Sequence, residues 1–474
     1  MKRDAIDLST LNVFTLFRKY FIPTLLGMLS ISAVTAIDGI FVGHGVGSDG
    51  IAAINICIPL LMLFTGFGLM IGAGCSVVAS IQLSKGKNKA ARLNVTQALL
   101  FATIVALVPS VLMMLYPEST ARMLGSSEYL LPQVTQYLLW FVPSWVFQIW
   151  ITISLFIIRL DGAPKLAMLC SLISAIINVV LDWVFIFPFE WGVMGAAFAT
   201  SISIVAGGAI AIGYLLFHAR RLRLYPLKWS KKSLHLSLRN ISYQCRIGSS
   251  ALLGEATLAV LMFVGNQVFM HYLGDNGVGA FGIACYYIPF VFMVGNAIAQ
   301  SAQPIISYNF GLGYRERVIA TARIALLTAI VSGAIVTLAF TGYPELLVGL
   351  FINPDTEAAR IAIHGFPYFS AGFIFFIINI TAVGYYQSIE RIKPATLFAM
   401  LRGALFLVPC FLLLPQLIYI TGIWLALPLS EFLTTAAVLV YMTRRTKNTN
   451  LPQKLFFPKY LYNFKGQTIR KKNK

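Results

Sequence analysis

INVVLDW spans Ile177–Trp183, inside an apolar run that extends from about Ala167 to Phe189. A run of that length and composition reads as a membrane-crossing helix. On a helix, Asn178 and Asp182 fall on one face, a single turn apart. A carboxylate in hydrocarbon costs at least a few kcal/mol, so its presence there needs a reason.

The rest of the chain has the same character. Of 474 residues, 58% are hydrophobic and only 11% charged, and the mean hydropathy is +0.79. Soluble domains carry about 25% charged residues. The shortfall runs from end to end, which indicates an integral membrane protein without a separate soluble domain. The first apolar run continues past Phe21 to Val42 with no small-residue cleavage site, so it reads as a retained span. The six cysteines each lie in or beside an apolar run and form no close pair, as small reduced core residues would.

Twelve spans are expected, at about 17–42, 51–83, 93–116, 129–158, 164–188, 192–217, 244–272, 277–308, 318–342, 361–387, 394–417 and 421–443. The connections alternate in charge. One set holds KGKNKAAR, HARRLRLYPLKWSKK, YRERVIATAR and both termini; the other is nearly free of Lys and Arg. With Arg402 placed near the inner end of its span, only Arg122 and Arg360 of the 36 basic residues fall on the poor side. By the positive-inside rule both termini are cytoplasmic, which an even number of spans requires. The net charge of +19 therefore records topology plus a basic tail lying against anionic lipid, not a nucleic-acid surface.

The chain also repeats once. LDGAPKLAM (160–168) aligns with RIKPATLFAM (391–400) through Pro164 and Pro394, and Gly192 meets Gly422 at the same offset. GVGSDGIAAINICIP (45–59) resembles YLGDNGVGAFGIACYYIP (272–289). Six spans per copy make the repeats parallel, about an axis along the membrane normal. The expected division is a first six-helix lobe over 1–217, a basic linker over 218–243, a second lobe over 244–443 and a basic cytoplasmic tail over 444–474.

Asp38, Asn178, Asp182 and Thr200 fall roughly 6–16 Å below the outer ends of the first, fifth and sixth spans, at 1.5 Å per helical residue. Two acids, an amide and a hydroxyl in one layer are suited to a proton or a small hard cation. A helix-to-helix hydrogen bond is reason enough for Thr200 alone. It does not excuse two acids at one depth. Glu255 and Glu431 lie near midplane in the second lobe and are candidate coupling or substrate acids. Pro23 is placed to let the first span bend, and Pro304 the eighth; His364 lies near the outer mouth, where solvation accounts for it. No phosphate-binding loop, zinc-binding helix or nucleophile elbow is present, so neither ATP, a cofactor nor an enzyme is indicated.

IDGIFVGHGVGSDGIAAINICIP, RLDGAPKLAM, INVVLDWVFIF, WGVMGAAFAT and AIAQSAQPIISYNFGLG together resemble the multidrug and toxic compound extrusion (MATE) family. The last stretch is similar to a bacterial drug-exporter subgroup that includes a staphylococcal member. The resemblance implies an all-α fold of twelve helices, two six-helix lobes forming a V, in a monomer of the bacterial plasma membrane. It implies export of amphiphilic, often cationic compounds in exchange for H⁺ or Na⁺. It assigns the cation site to Asp38, Asn178, Asp182 and Thr200, the bend to Pro23, and a seventh-span acid to Glu255. Some members have a tyrosine one turn before the first-span acid; here that position is Val34. A flippase of related architecture for lipid-linked sugars is the alternative expectation.

Overall fold

Long apolar runs can satisfy their backbone in hydrocarbon only as helices or closed barrels, and here they are helices. The computed structural model describes residues 7–227 and 230–448, without the side chains of Ser48, Lys232 and 445–448. Most of the basic tail expected over 444–474 lies outside the described residues.

The first half contains α1 (Val13–Gly45), α2 (Ser48–Ser84), α3 (Asn88–Leu115), the short α4 (Pro117–Met123), α5 (Leu131–Phe141), α6 (Trp145–Leu160), α7 (Pro164–Ile186) and α8 (Gly192–Gly213). α5 and α6 form one span through a 3-10 turn at Val142–Ser144. The second half contains α9 (Lys231–Gly311), α10 (Arg315–Gly342), α11 (Pro344–Gly349), α12 (Glu357–Ser370), α13 (Phe373–Ser388), α14 (Ile392–Met400) and α15 (Leu407–Asn448). Among the described residues, nine helices are long and apolar enough to cross a membrane, and α12 with α13 forms a further span bent by 48°. Two of the nine contain breaks. α9 turns at Gly274, whose φ of 62° is open mainly to glycine. α15 turns at Ile418 and Tyr419. Counting each broken helix as two spans gives the expected twelve, in two bundles of six that form a V.

Helix faces follow their surroundings. On α10, Leu327, Val331, Ile335 and Leu338 form an exposed apolar stripe, while Ala325, Ala329 and Gly333 face inward. α3 repeats this with Ile104, Val108 and Leu112 outside and Ala98, Ala102 and Ala106 inside. In water such stripes would be a liability; against lipid they carry no penalty.

The two halves meet at the basic end. Gln244 donates to Asn94 at 2.9 Å, Gln97 to Ser237 at 2.8 Å, and Gln303 to the carbonyl of Ala73 at 2.9 Å. The segment before α1 crosses over as well: Asn309 and Arg317 donate to the carbonyl of Leu8, and Arg317 to that of Leu11. α2 and α9 approach backbone to backbone. A Cβ on Gly74 would overlap the carbonyl of Gln244, and one on Gly248 that of Met70. Small residues permit this approach where no water drives helices together. The linker folds onto the first half. Asp161 accepts from the backbone N–H groups of Arg220, Arg221 and Leu222, and helix α9 begins at Lys231 behind a Ser230 cap.

Gly248→Leu should therefore force the halves apart at the basic end, at a cost of about 1–3 kcal/mol typical of overpacking. Spin labels at Arg92 and Arg391 should report a longer distance in the variant; an unchanged distance would contradict the packing described.

Candidate cation site and central cleft

α1 lies along α7 because two glycines let it. A Cβ on Gly27 would sit 3.3 Å from the Cα of Met168, and one on Gly45 would overlap Ile186. This alignment brings the acid of α1 to the acid of α7. The Asp38 and Asp182 carboxyl groups face each other within hydrogen-bonding reach. Asp182 is fully buried and Asp38 half-buried. Asp38 Oδ1 and both oxygens of Asp182 are sealed from solvent without a donor among the described residues. One turn away on α7, Asn178 donates to Thr200 Oγ1 of α8 at 3.3 Å. The four residues expected to share a layer therefore do share one, on three helices of the first bundle.

Bare carboxylates in contact repel strongly at low dielectric, and a proton or small cation between them removes the repulsion. Every donor atom here is oxygen or amide, and among the described residues no three His, Cys, Asp or Glu side chains come together. The set fits a proton or a hard monovalent ion, not zinc or another soft metal.

Tyr137 of α5 was not anticipated. Its side chain is buried and lies within electrostatic reach of both Asp38 and Asp182. A cost argument built on charged residues passes over it, since a tyrosine in a span needs no special reason. Its hydroxyl supplies a phenol near the pair, although position 34 holds a valine. Pro23 is buried within an unbroken α1, about four turns from Asp38.

In the second bundle the two expected acids part company. Glu255 of α9 packs against Gly66 of α2, in the region where the halves approach. Glu431 of α15 is fully buried and fully bonded. Arg402 donates to its Oε1 through Nε and Nη2, at 3.1 and 2.9 Å. Asn379 donates to its Oε2 at 2.6 Å and to its backbone carbonyl at 2.8 Å. Thr435 donates to Asn379 Oδ1 at 3.0 Å. Arg402 thus does not join the charges of the basic end, where the sequence placed it: Glu431 draws it into the bundle, 2% exposed. Between the halves lies a narrow cleft, with Leu69, Ala73 and Phe156 on one side and mostly α9 and α13 residues on the other.

A family model described as MatE matches residues 23–184 and again 251–412, together more than half of the chain. The chain belongs to that family, and it is a multi-pass membrane protein with two copies of the repeat. Among characterised relatives, the Multidrug export protein MepA of Staphylococcus aureus is 24% identical over 91% of this chain and 94% of its own. The MepA protein of Staphylococcus saprophyticus is 24% identical with the same coverage. A solved structure described as the outward-facing conformation of a multidrug resistance MATE family transporter superposes with a TM-score of 0.86, at 18% identity, over 94% of this chain and 99% of that one. The MATE transporter VcmN of Vibrio cholerae gives 0.82, at 20% identity, over 92% and 98%.

The two acid sites should respond differently to substitution. Asp182 receives no donor among the described residues, so Asp182→Asn should leave the melting temperature unchanged or higher. Glu431→Ala strands a buried guanidinium and should cost about 3–5 kcal/mol. Thermal unfolding in detergent measures both; equal losses would show that Asp182 is structural.

Proposed function

We propose that this chain is a secondary active multidrug efflux transporter working by antiport, with Asp38 and Asp182 as the coupling pair. The observation that carries the reading is the facing pair of carboxyl groups, three of whose oxygens are buried without a donor among the described residues. The relatives named as multidrug export proteins support the substrate side.

The proposed cycle follows from charge. With the far end open, H⁺ enters from outside and is held between Asp38 and Asp182. Direct contact of the two carboxyl groups favours H⁺ over Na⁺, because a sodium ion would have to hold them apart. Neutralisation removes the repulsion between α1 and α7, and α1 re-packs, bending near Pro23. Asn178 and Thr200 orient the site, and Tyr137 offers a hydroxyl to whichever carboxylate remains charged. The bundles over 1–217 and 244–443 then rock about the linker 218–243, and the proton leaves on the inner side. Glu255, beside Gly66 where the halves approach, is the acid of the second bundle proposed to meet a cationic substrate. In this reading the basic end faces the cytoplasm, both termini included, and the protein acts as a monomer on amphiphilic small molecules without a cofactor.

Transport should be measured in proteoliposomes under separately imposed H⁺ and Na⁺ gradients. A proton gradient should drive export of ethidium, and Asp182→Asn should abolish it while the protein stays folded. Wild-type rates in that variant would overturn the coupling scheme. On a cysteine-free background, Lys87→Cys should be labelled by an impermeant maleimide only from the cytoplasmic side, and Ser126→Cys only from outside; the reverse would overturn the orientation.

A further inference from the structure

The second bundle holds a charge that neither the coupling pair nor packing requires. Arg402 sits on a π-helical turn, Leu401–Leu405, between α14 and α15. Such turns insert one residue, re-aim a side chain and recur at functional sites. The guanidinium lies over the ring of Phe376, 4.4 Å from its centroid, while Nε and Nη2 bind Glu431. Apolar residues in place of such a buried pair are often neutral or stabilising, so stability alone does not explain it. The repeat does not explain it either. At the offset that matches Pro164 with Pro394, the first half has Leu172 and Ser201, and that bundle folds without the pair.

Three observations point to a ligand. Arg402 forms part of the wall of the cleft between the bundles. Its remaining nitrogen, Nη1, has no partner among the described residues, yet it is not one of the sealed polar atoms, so the cleft can reach it. The amides sharing that wall are donors too. Gln300 has its carbonyl oxygen taken by Arg159 at 2.6 Å, which leaves its N–H groups free, and the Asn296 amide is uncommitted within the described residues. Phe156 and Phe292 supply apolar faces, and no carboxylate lines the cleft. Glu431 cancels the charge of Arg402 without occupying Nη1. The wall therefore offers directed donors, and the buried Arg159 guanidinium behind Gln300 adds positive charge, which suits a planar oxyanion on an aromatic molecule.

Resting on the efflux reading, we propose that Arg402, Asn296 and Gln300 form a subsite that receives the carboxylate of aromatic amphiphiles. Arg402 makes the contact, and Glu431 and Phe376 position it.

Two dyes that differ only in this group provide the test: rhodamine 110, a free carboxylate, and rhodamine 123, its methyl ester. Binding to the full chain in detergent is read by fluorescence anisotropy. The acid should bind about tenfold tighter than the ester, the scale of one charge-assisted hydrogen bond. The paired substitution Arg402→Gln with Glu431→Gln, which leaves no buried charge alone, should bring that ratio to about one. Asn296→Ala, which disturbs no ion pair, should lower it about threefold, the scale of one ordinary hydrogen bond, and covers the case in which the paired variant fails to fold. Equal binding of the dyes by the wild type, binding of neither, or a ratio that survives Asn296→Ala would overturn the subsite. Gradient-driven ethidium export by the wild type reports on the efflux reading separately.

Discussion

Two acids pressed together in a medium that cannot solvate them are the constraint around which the first bundle is arranged. Among the described residues Asp38 Oδ1 and both oxygens of Asp182 have no donor, so their contact is tolerable only with a positive charge shared between them. The glycines at positions 27 and 45 exist in that context: they let α1 lie close enough along α7 for the contact to form. Asn178 and Thr200 pair with each other one turn along α7, and Tyr137 lies within electrostatic reach of both acids. The same electrostatic strain that would be a defect in a structural protein becomes a responsive element when the missing charge can come and go.

The second bundle repeats the helices but not this chemistry. Its buried acid is matched by a guanidinium, an amide and an aromatic face, and nothing in that set is left wanting except one nitrogen toward the cleft. The two halves of the repeat thus divide the labour. One keeps two facing acids without donors among the described residues; the other keeps an acid matched by a guanidinium. Parallel duplication supplies two equivalent scaffolds, and the polar residues placed on them set their roles.

Most of the fold was legible because its signals are long. Apolar runs of about twenty residues, alternating basic connections and matched prolines each extend over many positions. The spans therefore fall within a few residues of where hydropathy puts them, α1 and α7 among them. The juxtaposition of Asp38, Asn178, Asp182 and Thr200 was legible for the opposite reason: two acids in a span are locally expensive, and their shared depth, with Asn178 and Thr200 beside them, is readable without coordinates. Tyr137 escaped because it costs nothing to bury. Arg402 was misplaced because counting from the end of a span says nothing about a partner 29 residues further along the chain, and Glu431 is what draws it inward. Gln300 and Asn296 carry no signal at all until the cleft around them exists.

The strap ahead of α1 has a mechanical consequence. Through the carbonyls of Leu8 and Leu11 it is gripped by Asn309 and Arg317 of the opposite half. The halves cannot part at the basic end unless that clasp lets go. The helix it tugs on when it does is the one that bears Asp38. The clasped strand leads directly into a helix that runs without a break to that acid, so the two ends are joined by one rigid rod.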